Sequence, residues 1–314
     1  MNKENTGFGS ATGKIILMGE HSVVYGEPAI AFPFQETAIA VKVKPGTDMY
    51  LNCLYFSGSL TEAPKHLESI RSVIYHTLKE LNHSEAALHI EISSTIPAER
   101  GMGSSAATAV AVVRALHDYF GVPCSSEKLL SLVNQAEMIA HGNPSGIDAA
   151  AASGDKPIYF IKGQALEVFP MNLTNSYLIV ADTGIKGQTR AAVSDVAKLF
   201  EQDKKATAQH ISTLGQLTVQ AKAAILADDT QHLGQIMTEA QEHLAALTVS
   251  NDKLDQLIHA ALSAGALGAK LTGGGRGGCM IALADSNAAA KKIATALTDA
   301  GAKACWIQSL EVNN

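Results

Sequence analysis

Four segments of the chain combine residue types that can bind phosphate or a metal ion. Three are rich in glycine, and the fourth carries acidic residues and a histidine; they are residues 13–21 (GKIILMGEH), 101–106 (GMGSSA), 273–278 (GGGRGG) and 137–148 (EMIAHGNPSGID). Glycine lets backbone N–H groups approach a ligand closely. Serine, aspartate and glutamate supply the oxygen ligands that Mg²⁺ prefers. These segments are therefore the first candidates for a functional site.

Two common nucleotide-binding motifs do not fit these segments. Gly13 and Lys14 are not part of a Walker A loop, because Phe8 stands where that motif needs glycine and Ile15 where it needs Ser or Thr. Residues 101–106 match the pattern G-x-G-x-x-A of dinucleotide-binding folds, but they lie too far from the preceding predicted strand. The sequence therefore favours neither a P-loop nor a dinucleotide-binding fold.

Each glycine-rich segment, taken alone, leaves two interpretations open. Residues 101–106 directly precede a predicted helix, whose first-turn N–H groups can bind phosphate and whose serine can ligate Mg²⁺. The alternative is an ordinary serine N-cap. Residues 273–278 lie between two predicted strands, so a tight turn is the simple interpretation. Five glycines in six positions favour a close approach of the backbone to a ligand instead.

The fourth segment places Glu137 and His141 one helical turn apart. Pro144 ends that predicted helix, and Asp148 falls at the start of a new helical stretch. Taken alone, His141 is most simply a charge partner of a helix C-terminus, and Asp148 a carboxylate at a helix start.

The elements around these segments are of both types. Alternating and β-branched patterns predict strands at residues 14–19, 37–43, 88–93, 177–181, 269–271, 279–283 and 303–309. Helical periodicity or helix-forming composition predicts helices near residues 67–81, 104–120 and 127–142, several over 189–265, and one before the last strand. The mixture predicts an α+β class, with two domains that meet near residues 160–175.

Composition excludes several functional classes. The 314 residues are 46% hydrophobic, which is too apolar for a disordered chain. Asp and Glu outnumber Lys and Arg by 30 to 24, and this acidic balance argues against a general nucleic-acid binder. The sequence shows no apolar run of the length that a membrane helix needs and no CxxC pair. We therefore expect a cytoplasmic protein with reduced cysteines.

In combination, the four segments resemble the motifs of the GHMP kinases. The first motif is matched by residues 14–26 (KIILMGEHSVVYG), whose ending favours the mevalonate branch of the family over the galactose branch. Residues 101–107 resemble the phosphate loop, and residues 270–278 the third motif. Residues 141–148 (HGNPSGID) are the most discriminating, because this run is typical of the mevalonate branch. The motifs occur in the family's order over most of the chain.

The resemblance implies a fold and an activity. The fold is a two-domain α+β structure with a mixed sheet and helices in an N-terminal, ATP-binding domain (1–170). A ferredoxin-like C-terminal domain (171–314) follows, and the active site lies in the cleft between the two. The activity is transfer of phosphate from ATP, with Mg²⁺, to the C5 hydroxyl of (R)-mevalonate in the route to isoprenoids. The resemblance implies a small-molecule substrate and no nucleic-acid or membrane partner, and it leaves a homodimer open.

The resemblance also implies roles for residues of this chain. Asp148 would act as the base or orient the hydroxyl, with Lys14 beside it. Phosphate contacts would come from Gly101, Met102, Gly103, Ser104, Ser105 and Ala106. Mg²⁺ ligands would be Ser105 and Glu137. Contacts to the substrate would come from Glu20, His21, Thr183 and Gly184, with Asp182 and Lys186 as weaker candidates.

The chain departs from the family pattern at two places. Glu99 and Arg100 stand where the phosphate loop usually has small residues, and Arg276 stands among the glycines of the third motif. Neither change removes a catalytic group. A family branch specific for phosphomevalonate would need additional cations, and an inactive ligand sensor would have lost Lys14 or Asp148. Both residues are present, so we expect an active enzyme.

Overall fold

The computed structural model describes residues 6–141, 146–171 and 173–311, with His141 described through its backbone alone. Contacts between residues divide the chain into two compact units. The described residues of unit 1 fall within 6–14, 33–97 and 103–155, and those of unit 2 within 15–32, 98–102 and 156–311. Two long strands, β1 (Gly7–Met18) and β2 (Ala29–Pro45), have residues in both units.

Unit 1 contains strands and helices. Its strands are β3 (Tyr50–Cys53), β4 (Phe56–Ser59) and β5 (Leu88–Ser94), together with parts of β1 and β2. Its helices are α1 (Glu68–Glu80), α2 (Ser104–Phe120), α3 (Ser126–His141) and α4 (Ile147–Ser153), with short 3-10 turns at Leu60–Glu62 and Lys65–Leu67.

The sheet of unit 1 is mixed. Strand β5 pairs antiparallel with β2, with Val41 opposite Ile92, and pairs parallel with β3. Helices α1, α2 and α3 pack against one another, and α4 packs on α2 and α3. Helix α2 is rich in alanine and valine because it is buried along most of its length. The unit therefore buries a helix layer whose central member begins at the predicted phosphate loop.

Unit 2 contains the remaining elements. Its strands are β6 (Ile158–Phe160), β7 (Glu167–Val168), β8 (Tyr177–Asp182), β9 (Gly268–Thr272), β10 (Cys279–Ala284) and β11 (Ala304–Ser309). Its helices are α5 (Thr189–Gln202), α6 (Lys204–Leu226), α7 (Thr230–Ala246), α8 (Asp252–Ser263) and α9 (Asn287–Asp299), and a 3-10 turn covers Ser22–Tyr25.

The main sheet of unit 2 is antiparallel, in the order β11-β8-β10-β9. Numbered along the chain, this order is 4-1-3-2, which confirms the ferredoxin-like arrangement. Helices α8 and α9 pack on the sheet, and α7 packs on β9. Strands β8, β9 and β10 are almost entirely buried, so the two loops that leave the ends of β8 and β9 rest on a rigid base.

The structure confirms some of the predicted elements and contains strands that were not predicted. Helix α2 covers the predicted residues 104–120, and β5 and β8 each extend one residue beyond theirs. Strands β3, β4, β6 and β7 were not predicted, because they are two to four residues long and carry no alternating pattern. Strand β1 begins at Gly7, seven residues before the predicted start.

None of the helices in the described part of the chain combines the length and apolar character that crossing a bilayer requires.

Candidate active site

Lys14 and Asp148 form an ion pair in unit 1. The Lys14 Nζ lies 2.8 Å from the Asp148 Oδ1. Strand β1 supplies the lysine, whose side chain is 3% exposed, and the first turn of α4 supplies the aspartate, whose side chain is 34% exposed. The next four residues of α4 are buried alanines. The pair therefore presents a carboxylate to solvent beside a buried cation, an arrangement that can hold a substrate hydroxyl and accept its proton.

The phosphate loop meets this ion pair at Gly103. This glycine has φ +69°, and a Cβ atom at this position would lie 2.7 Å from the Lys14 Cγ. Both the backbone conformation and the lysine stem therefore require glycine here. Helix α2 begins at Ser104, and Gly103 provides no side-chain cap. The first N–H groups of α2 are consequently available for an anion next to the Lys14 ammonium.

The predicted phosphate contacts differ in which atoms they can offer. The side chains of Met102 and Ala106 are buried in the protein, at 1% and 0% exposure. Each can therefore contribute its backbone alone. Ser104 and Ser105 are partly exposed, so their hydroxyl groups can also reach a ligand.

Ser105 and Glu137 are brought together in unit 1. The Ser105 hydroxyl donates to the Glu137 Oε1 over 2.6 Å. Glu137 lies on α3, which packs on α2, and it is 2% exposed. A hydroxyl and a carboxylate are hard oxygen donors, and Mg²⁺ typically takes one or two protein ligands together with phosphate oxygens and water. The pair of Ser105 and Glu137 fits this kind of shared site.

The discriminating run at residues 141–148 is described only in part. Residues 142–145 lie outside the described residues, as does the side chain of His141. Gly146 adopts φ +90° before α4, and Asp148 lies in the first turn of that helix. The prediction that Asp148 follows a helix start is confirmed.

Glu20 and Lys270 form a second ion pair, within unit 2. Both side chains are fully buried, and the lysine also donates to the carbonyl oxygen of Leu271 over 2.8 Å. Burial lowers the pKa of Lys270, and the charge of Glu20 acts in the opposite direction. The sequence assigned Glu20 to substrate binding, whereas the structure directs its carboxylate to this buried lysine.

His21 is buried next to this pair and adopts φ +61°. Its Nε2 lies 3.1 Å from the carbonyl oxygen of Gly274. Among the described residues, its Nδ1 has no hydrogen-bond partner. Burial, with smaller contributions from Arg276 and Lys270, lowers the His21 pKa from 6.5 to about 4. The imidazole is therefore neutral at pH 7, and its Nδ1 is a buried acceptor without a partner among the described residues.

The loop after β8 carries Thr183 and Gly184. Asp182, at the end of β8, accepts hydrogen bonds of 2.8 Å from the Arg100 Nε and from the Gly184 N–H. Thr183 donates its hydroxyl to the carbonyl oxygen of Gly278 over 2.7 Å. Lys186 is exposed and paired with Glu99 at 2.5 Å. The loop is thus held by protein contacts, and the carboxylate of Asp182 is engaged with Arg100.

The glycine turn, residues 273–278, connects β9 and β10. These strands pair antiparallel, with Cys279 opposite Thr272. Thr272 donates its hydroxyl to the carbonyl oxygen of Ile16 over 2.8 Å, which ties β9 to β1 within unit 2. The predicted turn between two strands is confirmed.

Family models match both parts of the chain. The model for the GHMP kinases N terminal domain matches residues 68–155, and the model for GHMP kinases C terminal matches residues 221–303. The chain belongs to the GHMP kinases.

Several relatives of this GHMP kinase are named mevalonate kinase. The mevalonate kinase of Pyrococcus furiosus is 34% identical, over 93% of this chain and 92% of that protein. The mevalonate kinase of Aeropyrum pernix is 34% identical, over 87% of each chain.

Solved structures agree with this GHMP kinase over nearly its whole length. The mevalonate kinase from methicillin-resistant Staphylococcus aureus MRSA252 has a TM-score of 0.76 and 36% identity, over 98% of this chain and 99% of that chain. The L. major mevalonate kinase in complex with R-mevalonate has a TM-score of 0.81 and 29% identity, over 98% and 95%. The two-domain α+β fold is confirmed.

Sequence reasoning missed two residues of this GHMP kinase that organise its loops. Arg100 binds Asp182, and its Nη2 donates to the carbonyl oxygen of Gly184 over 3.2 Å. Lys270 compensates the buried charge of Glu20. A signal existed for Arg100, since it replaces a small residue of the family pattern. Lys270 stands first in the segment that resembles the third motif, but its spacing does not reveal its partner, which lies 250 positions earlier in the chain.

Proposed function

We propose that this kinase transfers the γ-phosphoryl group of ATP to the C5 hydroxyl of (R)-mevalonate, giving 5-phosphomevalonate and ADP. Relatives that are 34% identical over most of the chain are named mevalonate kinase, and one aligned structure contains R-mevalonate. Within the chain itself, the proposal is carried by the ion pair of Lys14 and Asp148, which stands next to Gly103 at the start of α2.

Asp148 is proposed as the group that orients the C5 hydroxyl and receives its proton. As the hydroxyl oxygen bonds to the γ-phosphorus, the bond from that phosphorus to the β–γ bridging oxygen breaks and ADP leaves. The Lys14 ammonium stabilises negative charge on the attacking oxygen. Because phosphoryl transfer depends mainly on positioning and charge stabilisation, a single well-placed pair can have a large effect.

The phosphates are proposed to lie against the phosphate loop. Backbone N–H groups of Gly101, Met102, Gly103 and Ala106 would bind their oxygens, together with Ser104 and Ser105. The N-terminal end of α2 adds its partial positive charge. Ser105 and Glu137 would hold Mg²⁺, which neutralises phosphate charge when it is bound.

Mevalonate is proposed to lie against residues of unit 2. The Nδ1 of His21 would accept a hydrogen bond from a substrate hydroxyl, since the imidazole is neutral and that nitrogen has no partner among the described residues. Thr183 and Gly184 would contact the substrate through the loop that follows β8. Glu20 contributes from its buried position beside His21, by holding the backbone of this segment through Lys270.

The substrate is tested by measuring ADP release with mevalonate, phosphomevalonate, galactose and homoserine, each with Mg²⁺ and ATP. We expect the highest kcat/KM with mevalonate. A higher kcat/KM with any of the other three compounds would contradict the proposed substrate. The same assay with Mg²⁺ removed by a chelator is expected to show no turnover.

Two further expectations stay predictions: the domain boundary near residue 170 and a cytoplasmic location. The resemblance leaves a homodimer open. Light scattering on the purified protein distinguishes a homodimer from a monomer by a factor of two in mass. Expression of residues 171–314 alone tests whether that part of the chain folds by itself.

A further inference from the structure

Arg276 occupies an unusual place in the glycine turn. It adopts φ +55°, a conformation in which glycine is favoured, and five of the six residues of the turn are glycine. Its backbone N–H donates to the carbonyl oxygen of Val249 over 2.8 Å. A non-glycine residue in this conformation carries backbone strain, so we expect side-chain contacts that compensate for it.

The guanidinium group of Arg276 connects the turn to two other segments. Its Nη1 lies 2.5 Å from the Oδ2 of Asp195 on α5. Its Nε donates to the carbonyl oxygen of Thr248 over 3.1 Å, between α7 and α8. An arginine that binds a carboxylate and a carbonyl at once fixes both the position and the direction of the chain that carries it.

Two residues before Arg276, the same turn contacts His21. The carbonyl oxygen of Gly274 can only accept a hydrogen bond, so the Nε2 of His21 must be the donor over the 3.1 Å between them. The proton therefore resides on Nε2, and Nδ1 is left as an acceptor. The position of the Gly274 carbonyl thus decides which nitrogen of His21 can receive a substrate hydroxyl.

Arg276 also contributes to the electrostatic environment of His21. The charged groups that act on this histidine are Arg276 from the turn and Lys270 from β9. Glu20 is paired with Lys270, and Asp195 is paired with Arg276. Both cations act in the same direction as burial, which favours the neutral imidazole.

We propose that Arg276 is a positioning residue, which anchors the glycine turn so that the Gly274 carbonyl holds the Nε2 proton of His21 and leaves Nδ1 as the acceptor for a substrate hydroxyl. This inference rests on the proposed function of His21 in binding mevalonate. It predicts that Arg276 acts on the substrate side of the reaction and leaves nucleotide binding unchanged.

The test compares three variants with the parent enzyme. Arg276→Gly removes the guanidinium, and glycine suits the φ of this position, so we expect the variant to fold. Arg276→Lys keeps the positive charge, but an ammonium group cannot bind Asp195 and the carbonyl oxygen of Thr248 at the same time, as the guanidinium does. Lys198→Gln is the matched control, because it removes the exposed second partner of Asp195 at 2.8 Å and leaves the turn intact. The measurements are the KM values for mevalonate and ATP, and the pKa of His21 from ¹³C NMR of labelled histidine rings, assigned with His21→Asn.

We expect Arg276→Gly to raise the KM for mevalonate roughly threefold to tenfold, as for the loss of one hydrogen bond. The KM for ATP should stay parental, and the His21 pKa should rise only slightly above about 4, because burial is the main cause of its low value and remains in the variant. Arg276→Lys should raise the KM for mevalonate while the His21 pKa stays low, and Lys198→Gln should behave like the parent.

A parental KM for mevalonate in Arg276→Gly would overturn the proposal, and so would an equal rise in both KM values. If the parent enzyme does not phosphorylate mevalonate, the proposed function fails. In that case the NMR titration still tests the role of Arg276. An unchanged His21 pKa in Arg276→Gly would show that Arg276 does not control the protonation of this imidazole.

Discussion

The two units each contain a buried lysine paired with a carboxylate, and the two pairs differ in the surroundings of the carboxylate. In unit 1, Asp148 is 34% exposed beside Lys14. In unit 2, Glu20 is fully buried beside Lys270. An exposed carboxylate next to a fixed cation can meet a substrate without rearrangement of the protein. A carboxylate enclosed with its cation cannot, and it serves to hold two segments of chain together.

The comparison teaches that a lysine–carboxylate pair does not by itself identify a catalytic pair. Lys14 and Lys270 are both deeply buried, and both occupy strands next to glycine-rich turns. Exposure of the acidic partner separates the two. We therefore expect the pair of Lys14 and Asp148 to control the reaction and the pair of Lys270 and Glu20 to control stability.

The largest expected effect is on the rate. Asp148→Asn keeps the shape of the side chain but removes its charge, and we expect kcat to fall about 10²- to 10⁴-fold, as is typical for loss of a general base. The measurement is single-turnover phosphoryl transfer at saturating ATP and mevalonate. The free energy of unfolding should also fall, because the buried Lys14 ammonium loses its counter-ion.

The control for this prediction is the double variant with Lys14→Met. If the two residues act as one unit, the double variant should lose much less than the product of the single losses. Losses that multiply would show that Lys14 acts separately from Asp148. A near-parental rate in Asp148→Asn would remove this residue from the proton transfer.

The second effect is on stability. Lys270→Met leaves the buried Glu20 without its cation, and we expect the free energy of unfolding to fall by about 3–5 kcal/mol. Urea denaturation measures this loss. The double variant Glu20→Leu with Lys270→Met should recover much of it, because an apolar pair of similar volume often replaces a buried ion pair without loss.

A third effect concerns pH. The folded-state pKa of His21 is about 4, below its ordinary value of 6.5. Between these values the unfolded chain binds a proton that the folded chain does not, so stability falls as the pH is lowered. We expect about 3 kcal/mol of stability to be lost from this residue as pH falls from 7 to below 4. Denaturation of His21→Asn over the same range should show a flatter profile, and an identical profile would show that His21 is not buried as a neutral imidazole.

A fourth effect concerns the metal. Glu137→Gln keeps the hydrogen bond to Ser105 possible but removes a negative charge, so we expect the Mg²⁺ concentration for half-maximal rate to rise about tenfold or more. The titration is done at saturating ATP and mevalonate. If Glu137→Gln needs no more Mg²⁺ than the parent, Glu137 is a structural residue of α3.

The smallest effect is expected at the ion pair between Lys186 and Glu99, whose side chains are 74% and 59% exposed. Lys186→Gln should change the free energy of unfolding by no more than about 1 kcal/mol, because solvent and salt screen such a pair. Comparison with Lys270→Met in the same denaturation assay measures directly how much burial strengthens a lysine–carboxylate interaction. A loss as large as that of Lys270→Met would contradict this explanation.

The amino-acid sequence alone determined the family, the fold class and the helix that begins at the phosphate loop. Patterns of this kind are local: α2 is a run of small apolar residues behind two glycines, and its bounds were predicted correctly. The early start of β1 was not predicted, because residues 7–13 (GFGSATG) contain three glycines, a residue type that is depleted in strands. Gly9 in this part of β1 has no room for a side chain, because a Cβ atom would come 2.2 Å from the carbonyl oxygen of Ala111 on α2. No local sequence pattern reveals this contact.

Only the tertiary structure decided which charges meet. Lys14 joins Asp148 across 134 positions of the chain, and Lys270 joins Glu20 across 250. The sequence motifs named Asp148 as the base and Glu20 as a substrate contact, and only the structure shows that the first carboxylate is partly exposed and the second enclosed. The same holds for His21, since its protonation and its free nitrogen depend on a carbonyl group of the distant glycine turn and on the arginine that anchors it. Such properties arise from desolvation and from contacts between remote segments, and neither is encoded in the spacing of residues along the chain.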